Sequence, residues 1–116
     1  MIFSGRKKII KKAVADTVSQ FRLSTPKIAE HFFYGAFDIA PQNLVVWYLF
    51  STDAELETAK SKGLCDELKN ATFKNLVSCG YPKEAFASTD RKVSVAFTTH
   101  EDIDRKTNGD YHLYFQ

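Results

Sequence analysis

The seven residues Leu44-Val-Val-Trp-Tyr-Leu-Phe50 are apolar or aromatic without exception. Successive side chains of a strand point to opposite faces, so an unbroken run of β-branched and aromatic residues needs cover above and below its sheet. The run predicts a strand in the middle of the sheet, shielded on both faces. It is also the longest apolar run in the chain, far short of the roughly 20 residues a membrane-spanning helix requires. Met1-Ile-Phe-Ser-Gly-Arg-Lys-Lys lacks the charged-then-apolar order of a secretory signal. A cytoplasmic chain with no membrane insertion is the expectation.

The elements around this strand are set off by turn and cap signals. From Arg6 to about Leu23 the positions Ile10, Ala13/Val14, Thr17/Val18 and Phe21 recur at helical steps, with Pro26 helping to end the helix. Residues 29–40 and 43–51 are strand-like and flank Pro41-Gln42, which reads as a hairpin connection. Thr52-Asp-Ala-Glu55 has the form of a capping box, placing a helix start at Asp53. Leu64, Leu68, Thr72 and Leu76 form a second apolar stripe ending at Cys79-Gly80-Tyr-Pro82; residues 53–79 are either one bent helix or two. Val93, Val95 and Phe97 alternate with Ser94, Ala96 and Thr98 as in a half-buried strand, and Tyr111 to Phe115 reads as the last strand.

The order is α-β-β-α(α)-β-β. It predicts one α+β domain over residues 1–116, with helices packed on a mixed or antiparallel four-stranded sheet. The long helical crossover would make its second and third strands parallel. A composition of 44% apolar and 26% charged residues fits a folded globular chain and excludes a disordered one. Cys65 and Cys79 form no CxxC and have no histidine nearby in sequence, so they read as reduced packing residues.

Three stretches could carry chemistry. Residues 100–115, HEDIDRKTNGDYHLYF, combine His100, Glu101, Asp102 and Asp104 in the pattern of an acid/base or metal cluster. Yet Thr99 suits an N-cap, acidic residues suit a first helical turn, and Asn108-Gly109 suits a left-handed stop or turn. Each polar residue then has a structural task, and one histidine with nearby carboxylates is a weak metal signal. The expectation is a charged turn, with no metal and no cofactor; a small enzyme using the four residues is the third reading. Isolated glycines form neither GxGxxG nor a P-loop. His31 and His112 fall in predicted strands and read as half-buried hydrogen-bonding residues.

The second stretch is basic. Residues 1–28 carry seven basic side chains against Asp16, a net of +6, while residues 29–116 carry nine basic against thirteen acidic, a net of −4. Arg6, Lys7, Lys8, Lys11 and Lys12 at the start of the first helix could meet nucleic-acid phosphates or another polyanion, although no RNA-stacking motif accompanies them. The third feature is aromatic. Eleven of the sixteen aromatic residues fall in the four predicted strands, more than one helical layer covers, so Tyr34, Trp47, Tyr48, Tyr111 and Tyr114 are the candidate contacts of an interaction surface. The leading expectation is a small non-enzymatic protein-interaction module. Its partner would be itself, as a homodimer, or another protein; size and the lack of catalytic motifs also suit a partner-neutralising, immunity-protein-like role, by analogy alone. Polyanion binding through the basic helix is the alternative.

Overall fold

The structure, a computed structural model, describes residues 4–87 and 92–110. Helix α1 spans Ser4–Gln20, strand β1 Glu30–Tyr34, strand β2 Val45–Phe50, helices α2 and α3 Asp53–Ser61 and Leu64–Ser78, strand β3 Ser94–Thr99, and helix α4 His100–Thr107. Short 3-10 turns cover Pro41–Asn43 and Lys83–Phe86. This is an α+β domain with four helices and a three-stranded sheet among the described residues.

The apolar run takes the middle of that sheet. β2 pairs antiparallel with β1 and parallel with β3, in the order β1-β2-β3. Directly paired residues share a face, so the register puts Phe33, Val46 and Val95 together with His31, Tyr48 and Phe97 on one side. Val46 and Tyr48 of that side belong to a core with Ile10, Ala13 and Val14 of α1 and Leu76 of α3. A second cluster joins Phe50 to Ala59, Leu64, Cys65 and Leu68. The opposite side carries Glu30, Phe32 and Tyr34 of β1 and Val45, Trp47 and Leu49 of β2. Leu49 is fully buried there, whereas Val45 and Trp47 are half-buried. Cover on the two sides is thus complete near Phe50 and thinner toward Val45.

Several boundaries differ from the sequence expectations. The expected fourth strand, Tyr111–Phe115, lies outside the described residues, and the described sheet has three strands where four were expected. β1 is five residues long and does not run to residue 40. The chain leaves the strand at Gly35, where φ is 116° and a Cβ would lie 2.0 Å from the Asn43 carbonyl oxygen; a longer turn then replaces the tight hairpin. α1 stops at Gln20, well ahead of Pro26. Residues 53–79 form two helices because Gly63 adopts a left-handed φ of 77° between them.

The cap signals are realised as read. Thr52 and Glu55 form the reciprocal capping box of α2. Thr99 accepts from the Asp102 N–H, and Asn108 closes α4 with φ 55°, so residues 100–107 are a two-turn helix following β3 directly. Cys65 is buried and Cys79 half-buried, both as free thiols. Burial, the largest effect on it, pushes the Cys65 thiol pKa up, away from the reactive thiolate.

Candidate functional site

The side chains of the acidic cluster around His100 go to different partners. His100 Nε2 lies 3.4 Å from Glu30 Oε1 on β1. Glu101 accepts the Asp53 backbone N–H at 2.8 Å, at the start of α2. Asp102 is bonded to Arg105 and lies 3.4 Å from Lys106 Nζ, both on its own helix; Asp104 is exposed. Asp53 completes the set, accepting from the Thr99 hydroxyl at 2.7 Å and from Arg105 at 2.8 Å. The Thr99 and Arg105 hydrogen bonds hold the Asp53 carboxyl below its ordinary pKa. This network fastens α4 to the beginning of α2. Among the described residues no three His, Cys, Asp or Glu side chains are grouped to hold a metal ion.

The basic helix divides by function. Arg6 is half-buried and donates to the Phe37 carbonyl at 2.6 Å, so its charge serves the turn after β1. Lys12 pairs with Asp16 at 3.3 Å. Lys7, Lys8 and Lys11 are exposed and make no hydrogen bond or ion pair among the described residues. Lys11 follows the buried Ile10 and precedes Val14 by three residues, so it stands at the margin of the packed face of α1.

At that margin α1 meets β1, the edge of the sheet among the described residues. Lys11 and Val14 from the helix, with His31, Phe32 and Phe33 from β1, line a hollow of about 310 Å³. Of its lining residues, Val14, Phe32 and Phe33 are apolar, Lys11 carries an ammonium and His31 an imidazole. The His31 side chain is exposed and also makes no hydrogen bond or ion pair among the described residues, contrary to the half-buried, bonded role expected for it. Around the edge of β1 the surface continues in aromatic residues. Phe32 stacks on Tyr34 at a centroid distance of 6.2 Å, and Trp47 Nε1 donates to the Tyr34 hydroxyl at 3.0 Å. Tyr34 is 39% exposed, and Phe32 and Trp47 are half-buried.

Of the five aromatic candidates, the structure brings Tyr34 and Trp47 together. Tyr48 is elsewhere: it is fully buried on the opposite face, stacked on Phe97 and bonded to Thr72, so it serves the core and is no surface contact. Tyr111 and Tyr114, and likewise His112, lie outside the described residues. His31, Phe32, Phe33 and Val14 were missed by sequence reasoning, because the hollow exists only through a contact between α1 and β1 that no local pattern announces.

Two further hollows adjoin each other at Thr25 and Lys62. The cation of both is already committed: Lys62 Nζ donates to the Thr25 carbonyl at 2.5 Å, and in the first of them Glu55 closes the α2 capping box. In the α1–β1 hollow Lys11 and His31 have no such commitment among the described residues. Comparison with protein-family models, with curated proteins and with solved structures finds no match for the chain.

Proposed function

We propose that this chain is a non-enzymatic protein-interaction module whose contact surface is the rim of β1, formed by Phe32, Tyr34 and Trp47 on one side and by Lys11 and His31 on the other. The observation that carries this reading is the juxtaposition of Lys11 and His31, which make no hydrogen bond or ion pair among the described residues, with the apolar residues Val14 and Phe33 in the α1–β1 hollow. Aromatic side chains give large contact area at small entropic cost, and they concentrate binding energy when packed against a partner. Of the side chains that could have suggested catalysis, His100 reaches Glu30 of β1, Glu101 accepts from the start of α2 and Asp102 is bonded within α4, which supports a binding role over a hydrolytic one.

The test compares three proteins: the wild type, the rim variant K11S/Y34S, and the control Lys74→Ser on an exposed position of α3. Light scattering from micromolar to millimolar concentration measures self-association, and immobilised chains measure retention of other proteins. The reading expects association, with itself or with another protein, that the rim variant loses and the control keeps. Identical behaviour of rim variant and wild type would overturn it.

A further inference from the structure

We infer that the α1–β1 hollow receives the C-terminal residue of a partner protein, taking its α-carboxylate and a large apolar side chain together. This rests on the contact surface proposed above and adds the chemistry of what enters it.

Two elements build the site with two side chains each. His31 and Phe33 are alternate residues of β1, so both point to the side of the sheet that α1 covers, while Phe32 between them turns its side chain away. Lys11 and Val14 stand three residues apart on α1, where such neighbours share a face. Lys11 and His31 are exposed and make no hydrogen bond or ion pair among the described residues. Val14 is buried and Phe33 half-buried. The hollow thus combines two nitrogen donors with two apolar side chains.

Charge selects an anion. Lys7 and Lys8, four and three residues before Lys11, lie one turn away on the same side of α1 and are likewise exposed, with no hydrogen bond or ion pair among the described residues. Asp16, the only acid in residues 1–28, pairs with Lys12. An imidazole carries an N–H in either protonation state, so Lys11 and His31 are both donors to a carboxylate, and charge-assisted hydrogen bonds are the stronger kind.

Spacing selects a chain terminus. Lys11 and Val14 are about 4.5 Å apart along the helix, and His31 and Phe33 about 6.6 Å apart along the strand. A single residue reaches that far from its carboxylate to its side chain. An internal glutamate or aspartate would have to borrow its apolar group from the next residue, whose side chain points the other way. A C-terminal residue carries both groups itself, and about 310 Å³, at the small end of ligand pockets, has room for one. A free acid has the same groups, but the exposure of Lys11 and His31 leaves the hollow open to water, whereas small-molecule pockets bury most of their ligand. A nucleic-acid backbone would leave Val14 and Phe33 without an apolar partner.

The test measures binding of the full chain to an inert carrier protein extended by a short glycine/serine tail that ends in leucine. Saturable binding is expected, displaced by N-acetylleucine and unaffected by Lys74→Glu. It should weaken at least about tenfold with Lys11→Glu, with glycine in place of the leucine, and with one serine added after it. Circular dichroism of each variant confirms that it is folded. Absence of saturation, equal binding of the serine-capped tail, or equal loss with Lys74→Glu would overturn the inference. Binding of N-acetylleucine without the carrier would overturn it too, leaving a pocket for a small acid. So would tighter binding of duplex DNA that Lys11→Glu abolishes, which would make this a polyanion surface. If the leucine tail fails while K11S/Y34S still alters protein association, the rim stands as the contact surface and only the terminal-residue chemistry falls.

Discussion

The hydroxyl of Tyr48 on the central strand lies 2.7 Å from the hydroxyl of Thr72 on α3, with both residues fully buried. Thr72 in turn bonds to the Leu68 carbonyl at 2.7 Å, while Thr17 on α1 accepts from Asn75 of α3 at 2.8 Å. A short chain of hydroxyl groups therefore fixes how α1 and α3 sit on the sheet. Removing Tyr48's hydroxyl with Tyr48→Phe leaves Thr72 still bonded to Leu68 and should cost about 0.5–1.5 kcal/mol. Thr72→Val leaves a buried phenol with one partner fewer and should cost more, about 1–3 kcal/mol. Urea unfolding of the two variants checks the order.

Tyr81 gives the fold an alkaline limit. Its hydroxyl donates to the Pro41 carbonyl at 2.5 Å, and burial pushes its pKa up to about 12 from an ordinary 10.0. Because the folded state holds the proton more tightly, this stability is complete below about pH 10 and is lost as the pH rises toward about 12. Tyr81→Phe should flatten the fall in unfolding midpoint across that window. A fall as steep as in the wild type would exclude Tyr81 as its source.

Asp53 acts in the opposite direction. Thr99 and Arg105 hold its carboxyl below the ordinary 3.8, so the stability it adds is present above that pH and is lost as the pH falls through its folded value. Asp53→Asn should lower the melting temperature near neutrality and reduce its further drop in acid. Thermal melts of the two proteins through the acid range measure the difference.

Gly35 is the position where the turn after β1 tolerates no side chain, with a positive φ and the Asn43 carbonyl where a Cβ would stand. Gly35→Ala should destabilise by more than about 1 kcal/mol. Gly63→Ala also meets a positive φ but has open space around it, so it should cost less. Parallel urea titrations rank them.

Local signals were legible in the sequence. The Thr52/Glu55 box, the Thr99 cap and the Asn108 stop depend on residues within a few positions of each other, and all three are formed. The mid-sheet place of Leu44–Phe50 was readable because a strand without polar side chains has none suited to water, although the cover expected on both faces is complete only toward Phe50. Which aromatic residue faces which way was not. Trp47 and Tyr48 are neighbours of similar character, and only the packing of α1 and α3 against one face buries Tyr48 and leaves Trp47 beside Tyr34. The α1–β1 hollow was equally hidden, since Lys11 and His31 are twenty residues apart and meet only through tertiary packing.

The central claim is that the rim of β1 is where another chain is received. A titration of backbone amide resonances and of the Trp47 indole N–H, the chain's only tryptophan, with the chain itself from micromolar to millimolar concentration, or with a protein that immobilised chains retain, tests it most directly. The account predicts shifts concentrated at Lys11, Val14, His31, Phe32, Phe33 and the Trp47 indole. Shifts confined instead to Thr25, Thr58 and Lys62, or spread evenly over the helices, would contradict it.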